Sequence, residues 1–207
     1  MFLTKAAIVE QIQEGNIQIT PFESDLLNPN SYNVRLASEL LVYEVSRLRW
    51  YHKGVWKLAP PVAKLLGFPP PHLDLRDENA TVSITIPKEG LVLETGLLYL
   101  GRTVERTYCS QHVPLYEGRS STARLGLESH ICGGWGDIGF DGTWTLEIRC
   151  THPIRIYAGM EIGQVAFATC EGDIVPYGSP EFRSRYQGQT EVTPSMPFTE
   201  EESSTNG

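Results

Sequence analysis

From Pro21 onward, proline and glycine recur roughly every 8 to 15 residues, with short β-rich runs between them. That punctuation leaves no room for long helices and predicts a chain of many short strands. In Val82-Ser83-Ile84-Thr85-Ile86 apolar residues alternate with hydroxyl residues, the pattern of a half-buried strand. Thr143 to Ile148 alternates in the same way, as does the segment around Ile154 and Ile156. Ala158-Gly159 forms the turn before a further strand from Met160 to Phe167. Leu97-Leu98-Tyr99-Leu100 is continuously apolar, as expected for a strand buried on both faces. Short strands with regular turn signals make a sandwich or a closed barrel. No internal repeat is visible.

Ahead of this pattern, Thr4 to Glu14 reads as a short helix. Thr4 caps it, Ile8 and Ile12 share a face, and Gly15 ends it. The length of 207 residues suits a single domain, here residues 1–198. Residues 46–71 stand apart, with two tryptophans, five prolines and a basic cluster. They are expected to form a surface insertion, either a packing flap over a barrel end or else a substrate lid or partner surface. Residues 199–207 are acidic and rich in small side chains, the composition of a disordered tail. The sequence has no run of 18 apolar residues, so no membrane span is expected, and the N-terminus lacks a signal-peptide core. A cytoplasmic protein is the expectation.

Four cysteines, Cys109, Cys132, Cys150 and Cys170, form no CxxC pair and are expected to be reduced and mostly buried. His130-x-Cys132 and Cys150-x-His152 match no standard zinc spacing. The H-x-E and P-C-x-x-C signature of zinc deaminases is absent too. A net charge of −8 argues against a nucleic-acid polymer as partner, because a polyphosphate backbone needs a basic surface. A single triphosphate needs only a few well-placed cations.

Two segments carry the chemistry. Gly118-Arg119-Ser120-Ser121-Thr122-Ala123-Arg124-Leu125-Gly126-Leu127 gathers backbone N–H groups, hydroxyls and two guanidinium forks, a set suited to anionic oxygens. Alone it is also what a common surface loop looks like. The second segment, Gly133 to Gly142, is glycine-rich, so the backbone can approach a ligand closely, and it leads into the strand ending at Ile148. Period two puts Trp144, Leu146 and Ile148 on one face of that strand and Thr143, Thr145 and Glu147 on the other. Two readings of Glu147 are open from periodicity: a solvated carboxylate, or one lining a pocket.

Taken together, GRSSTARLGL and GWGDIGFDGTWTLEI resemble the dCTP deaminase family of the trimeric dCTP deaminase and dUTPase superfamily. Pro29-Asn30-Ser31-Tyr32-Asn33-Val34-Arg35-Leu36 is similar to the family's PxSYDxRL, with Asn33 in place of Asp. Gly159 to Gln164 matches GMxIGQ, Tyr177-Gly178-Ser179 matches YGS, and Arg185 to Gln189 matches KYQGQ with Arg185 for Lys. Two further departures stand out: Gly136 replaces the Ile before Asp137, and Glu191 stands where Gly usually follows the YQGQ block.

The resemblance implies an all-β, distorted jelly-roll-like barrel of the dUTPase type, assembled as a homotrimer with active sites between subunits. It implies hydrolytic deamination of dCTP to dUTP and ammonia without zinc, Mg²⁺ arriving with the triphosphate. Glu147 would act as general base on a water held by Ser120, with Arg124 steadying Ser120 and the developing charge. Arg119 and Ser121 would hold phosphate oxygens, Asp137 the sugar and Thr145 the base. Gln164, Tyr177, Arg185 and Gln189 would close over the nucleotide. An alternative is a bifunctional enzyme that carries dCTP through to dUMP and pyrophosphate. It draws on Asp137, which matches the water-activating aspartate of the dUTPases, and on the Gly134-Trp135 pair. A non-catalytic nucleotide-binding relative is the third reading.

Overall fold

The computed structural model describes residues 1–44, 72–132, 134–182 and 184–198. The expected insertion at 46–71 and the acidic tail lie outside these residues. Helix α1 (Lys5–Gln13) forms where Thr4, in extended conformation, accepts a 3.5 Å hydrogen bond from the Ala7 amide. Ile8 is fully buried and Ile12 packs against the same core. Gly15, at φ 80°, lets the chain leave the helix in the left-handed region. The expected span from Thr4 to Glu14 is this helix with its two caps.

The rest is β-structure, as the turn spacing predicts. Strands β1 (Ile17–Thr20), β2 (Tyr32–Arg35), β3 (Glu39–Tyr43), β4 (Thr81–Thr85), β5 (Leu91–Leu93) and β6 (Tyr99–Cys109) form the first half. The second half holds β7 (His112–Gly118), a four-residue helix α2 (Ser120–Ala123), β8 (Leu127–Glu128), β9 (Gly134–Trp135), β10 (Asp141–Cys150), β11 (Ile154–Ile156) and β12 (Glu161–Thr169). One sheet runs β4-β3-β6-β10-β8, with β1 also on β6. A second runs β2-β12-β7-β9, and β11 pairs with β5. Every pair is antiparallel. One cluster holds Ile17, Val34, Leu40, Leu93, Tyr116, Leu146, Ile156 and Phe167, which come from all three sheets, so the sheets close around a shared core. Each such large side chain contributes about 1.5–3 kcal/mol on burial.

Three expectations need correction. The run Leu97 to Leu100 is not buried throughout: Leu97 and Leu98 are half-buried and precede β6, which begins at Tyr99. All four cysteines are free, but only Cys109 and Cys150 are buried; Cys132 and Cys170, outside any strand, are exposed. Strict alternation fails in β10, where a register shift against β6 falls between Thr143 and Thr145. A two-residue step on β10 there faces a four-residue step on β6, from Arg106 to Arg102. Thr143 is buried while Thr145 and Glu147 are half-buried.

A buried ion pair ties the two sheets. Glu105 on β6 has no exposed surface, and it accepts from the Arg35 amide at 2.7 Å and from Arg35 Nε at 2.6 Å. The Glu105 hydrogen bond raises the Arg35 pKa above its usual value, so the guanidinium stays charged. Removing one partner strands the other charge. Arg35→Met is therefore expected to destabilise the fold by about 3–5 kcal/mol in urea unfolding. A loss below about 1 kcal/mol, the level of an exposed pair, would show that Glu105 does not depend on this cation.

Candidate active site

A cleft of about 460 Å³ opens beside β10, a size within the usual range for small-molecule sites. Thr145 and Glu147, two apart on β10, both line it, and the turn between β9 and β10 adds Asp137. The Ile131 amide donates to Glu147 Oε2 at 3.2 Å, which fixes one carboxylate oxygen. Of the two readings left open for Glu147, the pocket-lining one describes its position.

The apolar walls are aromatic. Phe140 meets Trp144 and Tyr177 edge to face, with ring centroids 5.7 and 6.0 Å apart. Trp144 packs against the core as expected and also lines the cleft. Its indole Nε1 donates to Thr107 Oγ1 at 2.8 Å, which holds the ring in place. This position explains Gly136. A Cβ at residue 136 would lie 2.3 Å from the Trp144 ring and 2.9 Å from Pro114, so the indole fills the space a larger side chain would need.

The chain beyond Tyr177 lies across the cleft mouth. Gln189 donates through Nε2 to the Thr143 carbonyl at 2.6 Å, and the Thr193 amide donates to Thr145 Oγ1 at 3.4 Å. The Ser195 amide donates to the Tyr43 hydroxyl at 3.1 Å, and Val192 packs on Tyr43 and Leu100. Tyr177 lines the cleft and its hydroxyl accepts from the Tyr186 amide at 3.1 Å. Arg185 does not line it; its Nη1 donates to the Met196 carbonyl at 3.4 Å. Glu191 approaches Arg102, 3.7 Å away, so its charge is partly offset by that residue.

Besides Arg185, five expected site residues do not line the cleft. Arg119, Ser120, Ser121 and Arg124 sit at and around α2, between β7 and β8, and none of them lines the cleft. Ser120, Ser121 and Arg124 are exposed. Gln164 lies on β12, where its Oε1 accepts from Ser31 Oγ at 2.7 Å. One chain thus brings together Glu147, Asp137, Thr145, Tyr177 and Gln189, while the hydroxyl-and-guanidinium segment faces outward.

A family model described as dCTP deaminase-like matches residues 2–170. The chain belongs to the dCTP deaminase-like family. It is 47% identical over 183 residues to a protein of Hathewaya histolytica named "dCTP deaminase, dUMP-forming", covering 88% of this chain and 90% of that one. It is 42% identical over 196 residues to a Leptospira biflexa protein of the same name, covering 95% of each. A solved dCTP deaminase from Agrobacterium tumefaciens shares the fold, with a TM-score of 0.54 and 21% identity, covering 82% of this chain and 48% of that one. The all-β, dUTPase-like expectation agrees with that likeness. No helix among the described residues is long and apolar enough to cross a membrane.

Sequence reasoning missed Tyr43 and Tyr186 among the residues that line this cleft, and named Trp135 only as part of the Gly134-Trp135 pair. Tyr186 lies inside the RYQGQ block and was within reach of the resemblance. Tyr43, at the end of β3, carries no local signal, since only the folded sheet brings β3 beside β6.

Proposed function

We propose that this protein converts dCTP to dUMP, with release of ammonia and pyrophosphate. Two waters are consumed: one replaces the exocyclic amine at C4, and the other cleaves the bond between the α- and β-phosphates. The observation that carries this reading is that two carboxylates, Glu147 and Asp137, line one cleft. The names of the relatives support dUMP as end product over a reaction that stops at dUTP.

In this reading the Glu147 carboxylate, held by the Ile131 amide, takes a proton from the water that adds to C4. It then passes protons to N3 and to the departing amine, which leaves as ammonia. Asp137 deprotonates the second water for attack at the α-phosphorus. Thr145 faces the base, while Tyr177 and Gln189 close the mouth. Arg119, Ser120, Ser121 and Arg124 do not line the cleft of their own chain, so we assign them to the cleft of a neighbouring protomer in a homotrimer. There Ser120 and Arg124 serve the reacting centre and Arg119 and Ser121 the phosphates. Gln164 and Arg185 support that closure from outside the cleft. Mg²⁺ enters with the triphosphate as part of the substrate, and no zinc is used.

The test is product analysis with Mg²⁺ and either dCTP or dUTP, resolved by ion exchange. The expected products are dUMP and pyrophosphate in both tubes, with ammonia from dCTP alone. Accumulation of dUTP from dCTP, with dUTP itself untouched, would reduce the protein to a deaminase. If neither nucleotide changes, the proposed reaction fails.

A further inference from the structure

Glu161 lies outside the cleft and outside the motif residues with assigned roles, yet it sits at a crossing of three strands. It opens β12, next to Ile162 and Gly163, and its register partner is Arg35 on β2. Its Oε2 accepts from the Arg119 guanidinium through Nη1, and the same oxygen accepts from Asn33 Nδ2 at 2.7 Å. Asn33 is buried, and its Oδ1 accepts from Asn28 Nδ2 at 2.6 Å. Asn28 also reaches Ser31 Oγ at 3.2 Å, and Ser31 donates to Gln164. A continuous network therefore runs from the β2–β12 pair to the guanidinium that precedes α2.

We infer that Glu161 is the positioning residue of Arg119, and that Asn33 is the neutral partner which allows a carboxylate at position 161. The inference rests on the proposed role of Arg119 as a phosphate-holding group. A guanidinium carries five N–H donors in a rigid fork. Glu161 engages Nη1 and leaves other donors for phosphate oxygens. Holding the side chain beforehand removes rotamer entropy that phosphate binding would otherwise have to overcome. The amide at position 33 matters because an aspartate there would face Glu161 with acceptor against acceptor at hydrogen-bond distance. Two carboxylates so close repel or take up a proton. The carboxylate of this network thus stands on β12, and its hydrogen-bond partner on β2, Asn33, is neutral.

The experiment compares the full-length protein with Glu161→Gln, Asn33→Asp and the double variant. The readouts are kcat and KM for Mg²⁺-dCTP and calorimetric binding of inorganic tripolyphosphate. Each single variant is expected to raise KM and weaken tripolyphosphate by about tenfold, with kcat changed less than about threefold, the scale of one charge-assisted hydrogen bond. In the double variant an amide again faces a carboxylate across this contact, so it is expected to bind no more weakly than Glu161→Gln alone. A general loss of fold would lower kcat and would not be rescued by a second substitution. Unchanged or tighter binding by Glu161→Gln would overturn the inference, since the carboxylate would then be idle or competing with phosphate. A double variant as weak as the two singles combined, or no tripolyphosphate binding by the unsubstituted protein, would overturn it too. Failure of the proposed reaction shows separately, as absence of dCTP turnover in the unsubstituted protein, and the tripolyphosphate titration still decides on Glu161.

Discussion

Glu147→Gln is expected to lower ammonia release from dCTP by on the order of 10²–10⁴-fold, the usual range for removing a general acid–base group. The substitution is nearly isosteric. The glutamine amide retains an oxygen to accept from the Ile131 amide, so the β10 geometry and nucleotide binding are expected to survive. Hydrolysis of dUTP, which in our reading depends on Asp137, should persist within a few-fold. Single-turnover ammonia release and pyrophosphate release, measured side by side, separate the two. Parallel loss of both activities would point to a damaged cleft, and retention of more than about a tenth of the deamination would remove Glu147 from the base role.

Asp137→Asn is expected to do the converse. Formation of dUMP should fall by about 10²–10⁴-fold while ammonia release continues, so dCTP would yield dUTP that accumulates. Asn is well tolerated in turns, and the turn that residue 137 makes here, with its carbonyl accepting from the Phe140 amide at 3.1 Å, uses only the backbone. The change is therefore expected to leave the cleft intact. If dUMP formation continues unabated, the second carboxylate does not activate the phosphate-attacking water. If both activities vanish, Asp137 acts in binding, as a contact to the sugar would predict.

The parts of this fold that were legible in the sequence are those set by local chemistry. Thr4 and Gly15 bracket α1 because a cap and a left-handed exit are one-residue decisions. Glu147 and Thr145 share the cleft because period two holds between them. Trp144 packs against the core as period two predicts; that it also lines the cleft depends on how the surrounding elements fold, which carries no local signal. The exposure of Cys132 and Cys170 was equally hidden, since loop residues carry no periodicity. In the site, the motifs marked Ser120 and Arg124 as a segment apart from the β10 strand. That they do not line this cleft is a tertiary fact set by where α2 falls between β7 and β8. Glu161 was concealed differently: it occupies the variable position of a recognised block, and its meaning depends on Asn33, far away in sequence and adjacent across β2 and β12.

The contact between Gly136 and the Trp144 ring also limits how this protein can drift or be redesigned. Each residue forecloses change at the other. Enlarging residue 136 alone drives a side chain into a ring that Thr107 holds fast, and shrinking residue 144 alone leaves that volume empty. A larger residue at 136 needs room from Pro114 as well as from the Trp144 ring. A loop transplanted from a relative must therefore suit both positions 114 and 144.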